Sequence, residues 1–255
     1  MQAENQKQVW DKIAHEWSLF KTEPSEQVLK FLKKQEGNIL DLGSGSGRHL
    51  TRIKNGKMYL VDFSKEMIKI AREKAEKNNI PAEFSISELT KLPYKDNFFD
   101  AAIAISSIHC IDSVEKRETA VKELYRVLKQ GNVVFIGVWN KETKKFKNSP
   151  KERYVKWTDK GLRYYYLFDE QEIHNLFKTN GFKILKTMNS GTMINFITKK
   201  EEEKTTNISD RIKQKRITKH PQILKTDKKR NIKLKKTAPN ISGLEAIKKY
   251  TNISL

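Results

Sequence analysis

The run at residues 39–50, ILDLGSGSGRHL, constrains this chain more than any other stretch. An apolar β-type segment, residues 38–42, leads into Gly43, Gly45 and Gly47, and a helix is expected to follow over residues 47–53. Glycine lacks Cβ, so the backbone there can turn sharply and approach a ligand closely. A helix leaving such a turn would offer free N–H groups and the positive end of its dipole to an anionic group. Gly-rich strand-to-helix turns in α/β sheets bind nucleotides or nucleotide-like cofactors for these reasons.

Around the turn, the hydrophobic pattern alternates between helix and strand. Over residues 2–19, Val9, Ile13 and Trp17 recur at helical spacing with Trp10 and Ala14 beside them, which predicts an amphipathic helix. Thr22 is the expected cap of a second helix, with Pro24 in its first turn and Gly37 at its end. Strands are expected at 38–42, 57–61, 82–86, 98–106 and 132–138. Between them lie a helix capped by Ser64 and another capped by Asp112 or Ser113. Asp169 with Glu172 reads as a capping box for a helix to Asn180. Residues 182–188 and 192–198 then read as a hairpin about Ser190 and Gly191. The pattern predicts an α/β fold: a Rossmann-like, seven-stranded, mostly parallel sheet with an antiparallel C-terminal hairpin and helices on both faces. Residues 141–162 read as an irregular basic insertion, with Phe146, Tyr154 and Trp157 among its lysines.

A length of 255 residues suffices for one such domain, residues 1–200, and a tail, residues 201–255. The formal net charge of +20 fits a polyanionic partner, most simply nucleic acid. The tail holds 15 Lys and Arg against 6 Asp and Glu, with Tyr250 its one aromatic, so a basic, largely disordered extension is expected. Ser242 and Glu245 could cap one short helix in it, over residues 243–250. The single cysteine, Cys110, allows neither an intramolecular disulfide nor a cysteine zinc cluster, which fits a reducing compartment. No apolar run approaches the ~20 residues needed to span a bilayer, and residues 1–8 lack a signal-peptide core. A soluble, cytoplasmic protein with no membrane partner is expected.

Two cofactors compete for the turn. The dinucleotide fingerprint is G-x-G-x-x-G, whereas this chain has G-x-G-x-G with Asp41 just before it. A buried carboxylate there opposes a pyrophosphate but suits S-adenosylmethionine (SAM), which carries an ammonium and a sulfonium. Asp62 ends the second strand near the ~20-residue offset at which an acid meets ribose hydroxyls. The two acids favour SAM. In order, residues 38–139 resemble the class I SAM-dependent methyltransferases. Asp41 with Gly43, Gly45 and Gly47 matches the first motif, and Asp62, Phe63 and Ser64 match the ribose motif. Glu88 and Leu89 open the adenine-contacting segment, with Glu where the family usually has Asp, and Phe98, Phe99 and Asp100 lead into the fourth strand. The resemblance implies SAM as cofactor, held by Asp41, Gly43, Gly45, Gly47, Asp62, Phe63, Glu88, Leu89 and Ser106.

The flanks are similar to the tRNA carboxymethyluridine methyltransferases over about residues 9–198. The matching segments are 9–14, 17–21 with Pro24, 105–109, Trp139, and 163–168. This chain departs from them in having Lys21 for Arg, Ser25 for Trp, Cys110 for a second His, and Tyr166 for His. The resemblance implies esterification of a carboxymethyl group on wobble uridine, in the anticodon loop of tRNA, and a small zinc-binding activator protein as partner. A carboxylate acceptor is ionised at neutral pH and needs orientation rather than a strong base. Arg163, whose planar fork matches a carboxylate, Lys21 as a second cation, and His109 at the end of the fourth strand are the candidate catalytic residues. A small-molecule, quinone-type methyltransferase would share the same SAM motifs and is the alternative. A non-catalytic scaffold is disfavoured by the intact turn with Asp41 and Asp62.

Overall fold

The structure, a computed structural model, describes residues 5–202. The expected tail, apart from its first two residues, and its short helix lie outside the described residues. In chain order the elements are α1 (Gln6–Phe20), α2 (Glu26–Leu32), β1 (Glu36–Leu42), β2 (Lys54–Asp62), α3 (Lys65–Lys77), β3 (Ala82–Ile86) and β4 (Phe99–Ile105). After a 3-10 turn at Ile108–Cys110 come α4 (Val114–Val127), β5 (Leu128–Trp139), β6 (Glu152–Lys156), β7 (Leu162–Tyr166), α5 (Glu170–Lys178), β8 (Phe182–Thr187) and β9 (Met193–Lys200). No helix among the described residues is long and apolar enough to cross a membrane.

The main sheet has seven strands in the order β3-β2-β1-β4-β5-β9-β8. Strands β1 to β5 pair in parallel, and β9 pairs antiparallel with both β5 and β8. Alternate residues of each strand face opposite sides of a sheet. Ile39, Met58, Leu60, Ala101, Ile103 and Phe135 accordingly pack with Phe31 of α2 and Ala71 of α3. Their neighbours Leu40, Val61, Ala102, Ala104 and Ile136 pack with Leu124 of α4 and Phe177 of α5. Burial on both faces is why these strands read as near-continuous apolar runs. The strand order reverses between β1 and β4, and open α/β sheets bind ligands beyond the carboxyl ends of the strands at such a point.

The structure corrects several local expectations. No helix follows the glycine turn. Residues 43–53 are turns and open chain, and β2 starts at Lys54. Three successive glycines at φ of +72°, +53° and +71° hold the chain in the left-handed region, and only six residues separate Gly47 from β2, too few to build a helix and return. The cap of α2 is Ser25 rather than Thr22, because Pro24 disfavours helical geometry at the residue before it. Gly37 lies inside β1 at φ +81°, where the register with β2 shifts, and does not end a helix. Ser113 rather than Asp112 caps α4, its hydroxyl accepting from the Lys116 N–H at 3.1 Å. Asp169 caps α5, accepting from the Glu172 N–H at 2.8 Å. The Glu172 carboxylate completes no capping box; it accepts from Tyr166 and Lys151 instead.

The expected irregular insertion contains a regular element. Residues 152–156 and 162–166 form an antiparallel hairpin, β6 with β7, in the register Glu152↔Tyr166 to Lys156↔Leu162. Its inner strand packs against α1: Tyr165 joins Trp10, Ile13, Ala14 and Met67 in one buried cluster. The hairpin and α1 thereby come together beside the sheet's carboxyl end.

Candidate active site

A cavity of about 550 Å³ opens at that end. Its floor is the glycine turn. Four of the turn's amides are engaged within the protein: the Gly43 and Ser44 N–H groups donate to the Val61 carbonyl at 2.8 and 2.9 Å. The Gly45 N–H donates to Asp62 Oδ2 at 2.9 Å, and the Gly47 N–H to the Ser44 carbonyl at 3.1 Å. A Cβ on Gly43 would stand 2.3 Å from the Ser107 Cβ, so glycine lets the turn press against the end of β4. A Cβ on Gly45 would meet only the Met67 sulfur, at 4.0 Å; that glycine keeps cavity space open. Gly47 does not line the cavity. Its missing side chain makes room for Ala71 of α3, 3.1 Å from an added Cβ.

Two buried carboxylates face the cavity. Asp41, at the end of β1, has its pKa raised from 3.8 to about 7, chiefly by burial, with Arg48 lowering it and Asp62 adding to the rise. Asp41 Oδ2 has no hydrogen-bond partner. A buried acceptor without a donor is costly, and it is the kind of atom that a cationic ligand satisfies. Asp62, at the end of β2, accepts from the Ser64 and Gly45 N–H groups, and burial lifts its pKa to about 6 against those two bonds. Phe63, Glu88, Leu89 and Ser106 also line the cavity. Eight of the nine residues expected at the cofactor are thus gathered here, Gly47 being the exception.

Cations line the cavity too. Lys21, Arg48 and Lys116 are on its walls, with Trp10 and Trp17 from α1. Burial lowers the pKa of Lys21, and the charges of Arg48 and Lys145 lower it further. Arg48 interacts with both Asp41 and Lys21, and Asp62 with Asp41, so acids and bases of the cavity act on one another. Sequence reasoning did not single out Arg48, His49, Trp10 or Trp17 as cavity residues. Arg48 and His49 follow the last glycine directly, which is the signal that could have found them. His49 is neutral, its pKa pushed down to about 3 by burial first and then by Arg48 and Lys74.

The other two expected catalytic residues do not line the cavity. His109 is wholly buried; its Nδ1 accepts from the Trp139 N–H at 2.9 Å, and burial pushes its pKa down to about 3. The ring lies against Trp139 and Tyr165, which stack on each other at 4.2 Å. Arg163 is buried behind the α1 wall. It donates to the Tyr165 hydroxyl at 2.7 Å, and its guanidinium lies 4.8 to 5.8 Å from the ring centres of Trp157, Trp17, Tyr165 and Trp10. Both side chains hold up the aromatic wall rather than reach through it. Cys110 does line the cavity, its Sγ 3.3 Å from the Ser106 carbonyl, and burial raises its thiol pKa, so it is not a thiolate.

Comparison with known proteins agrees with this geometry. A family model described as a methyltransferase domain matches residues 40–136. The chain is 30% identical over 209 residues to the tRNA (carboxymethyluridine(34)-5-O)-methyltransferase of Schizosaccharomyces pombe, covering 70% of this chain and 89% of that protein. It is 31% identical over 158 residues to the Arabidopsis thaliana enzyme of the same name, covering 61% of this chain but only 36% of the relative, so it spans about a third of that protein's length. A solved SAM-dependent methyltransferase from Methanosarcina mazei superposes with a TM-score of 0.59 at 20% identity, over 71% of this chain and 100% of that one. At that identity the likeness is one of fold.

Proposed function

The chain belongs to the class I SAM-dependent methyltransferases and uses SAM as its cofactor; from that premise we propose that it methylates tRNA, esterifying a carboxymethyl group on wobble uridine. The observation that carries the reading is a single cavity lined by two buried acids, Asp62 and Asp41, one with an unpartnered oxygen, and by the cations Arg48 and Lys21. The relatives whose names state this reaction support it.

In this reading Asp41, with its unpartnered Oδ2, takes the cationic methionine end of the cofactor, with Ser106 close by. Asp62 takes the ribose hydroxyls, and Phe63, Glu88 and Leu89 enclose the adenine. Gly43 and Gly45 let the ligand lie close to the backbone. SAM supplies a methyl group on a sulfonium: as the C–O bond to a carboxylate oxygen forms, the C–S bond breaks, sulfur keeps the electron pair, and no proton moves. The protein's task is then alignment and charge compensation. Lys21 and Arg48 hold the acceptor carboxylate. His109 and Arg163 act as positioning residues, fixing Trp139, Tyr165 and the tryptophans of α1. A small zinc-binding activator subunit belongs to the reading by the same resemblance.

The test is mass spectrometry of wobble nucleosides from tRNA incubated with the protein and SAM. The expected product is a carboxymethyluridine carrying one more methyl group, which mild alkali removes. Methyl transfer to small molecules that RNase treatment leaves unchanged would instead support the quinone-type alternative.

A further inference from the structure

The end of α1 carries an aromatic surface that the cofactor site does not use. Phe20, its last residue, is 62% exposed, and Leu19 beside it is 66% exposed. Single exposed apolar residues are ordinary, but contiguous ones mark contact surfaces. These are contiguous with more rings: the Phe20 centroid is 5.5 Å from that of Trp157, on the turn between β6 and β7, and 6.1 Å from that of Trp17. Trp157 is itself anchored, its indole N–H donating to Glu16 at 2.7 Å, and Lys160 binds the same carboxylate. The rings are therefore held in place before any partner arrives.

Cations surround them. The Lys21 ammonium is 5.0 Å from the Phe20 ring centre and feels the charge of Lys145. The cavity is adjacent, since Trp17 and Lys21, on either side of Phe20 in sequence, both line it. The other aromatics of the basic insertion do not share this setting. Phe146 is buried, and Tyr154 packs against Tyr164.

We propose that Phe20, braced by Trp157, is a stacking platform for the unpaired nucleobase next to the methylated nucleotide, with Lys145 facing its phosphates while Lys21 stays with the acceptor at the cavity wall. Single-stranded RNA is bound in this way, by bases stacked on aromatic side chains and backbone tracked by cations. The net charge of +20 favours a polyanion over an apolar protein surface. The inference rests on the tRNA reading above and adds to it the element that would hold a loop nucleotide open beside the cavity.

The test uses the full chain and an anticodon stem-loop RNA carrying 2-aminopurine on one or the other side of the acceptor uridine. At one of the two positions, wild-type protein is expected to quench the fluorophore. Phe20→Ala should lose that quench and bind about tenfold more weakly, with its melting temperature unchanged because the residue is exposed. Phe20→Tyr, which keeps the ring, should restore both. Equal affinity and equal quench in Phe20→Ala would overturn the platform while leaving the tRNA reading standing. So would a variant that loses binding to vesicles of anionic lipid but not to RNA. If the wild type binds SAM but neither binds nor methylates the stem-loop, the tRNA reading falls and takes the platform with it.

Discussion

Asp41 should make SAM affinity depend on pH in a way that a surface carboxylate would not. Burial raises its pKa from 3.8 to about 7, even with Arg48 nearby. At 1.36 kcal/mol per pKa unit, that rise corresponds to roughly 4 kcal/mol. The direction follows from proton counting. Between pH 3.8 and 7 the folded protein holds this proton and the unfolded chain does not, so stability falls as pH rises through that window. Above pH 7 the unliganded protein carries the full burden of a buried charge. A cation docking against Oδ2 favours the ionised form, so its affinity rises with pH until Asp41 is deprotonated. From pH 5.5 to 7 the ionised fraction grows about 16-fold, and the SAM association constant should grow with it. The α-amino group of the ligand stays protonated until about pH 7.7–8.0 and does not interfere below that. Titration calorimetry in buffers of different ionisation heat should find close to one proton released per SAM bound at pH 5.5 and about half a proton at pH 7. Asp41→Asn should bind SAM weakly and keep only the smaller pH dependence that Asp62, titrating near 6, contributes. The same variant should melt higher than wild type at pH 8 and like wild type at pH 4. If Asp41→Asn keeps the wild-type rise in affinity, or gains no stability at pH 8, the assignment of the proton to Asp41 is wrong.

Three further outcomes test other parts of the structure. Gly43→Ala adds a Cβ 2.3 Å from that of Ser107 at φ +72°, and should lose at least roughly 1–3 kcal/mol in urea titration; unchanged stability would refute the close contact of turn and β4. The Lys200 ammonium donates to the Tyr125 and Leu128 carbonyls at 2.7 and 2.8 Å, closing the end of α4, so Lys200→Met should destabilise by roughly 1–3 kcal/mol in the same assay. Bonds from Lys160 and Trp157 hold the Glu16 carboxyl below its usual pKa range, so that latch is present above the range and is lost as pH falls. Glu16→Gln should speed hydrogen exchange at residues 157–161 at pH 7, and equal rates would refute the latch.

The sheet was legible because its chemistry repeats. Ile39, Leu40, Ala102, Ile103, Val134 and Phe135 are buried from both sides and advertise it as apolar runs. The two cavity carboxylates were legible because Asp41 and Asp62 lie at the carboxyl ends of β1 and β2 beside the switch point, so backbone position alone brings them to the cavity. Side-chain direction was not legible in the same way. His109 sits in a single 3-10 turn between Ser107 and Cys110, which line the cavity while His109 turns inward. Arg163 lies on β7, whose partner β6 alternates charged and apolar residues too weakly to be read as a strand. Without that pairing, nothing showed that Arg163 points into the aromatic wall, and its planar fork alone made it a carboxylate binder. The missing helix after Gly47 is a different failure. The general pattern for glycine turns calls for one, but the six residues available before β2 leave no room for it.

That missing helix bears on why the cavity suits SAM rather than a dinucleotide. A phosphate-binding turn works through amides left free at the start of a helix and through the helix dipole. Here there is no helix, and the amides of Gly43, Ser44, Gly45 and Gly47 are all engaged, two with the Val61 carbonyl, one with Asp62 and one with Ser44. Those four amides are not free to meet a pyrophosphate. What it presents instead are the unpartnered Oδ2 of Asp41 and the carboxylate of Asp62. A cavity whose buried acceptor lacks a donor, with the glycine amides beside it engaged, selects for positive charge. The glycines thus supply shape, and the two aspartates supply the sign.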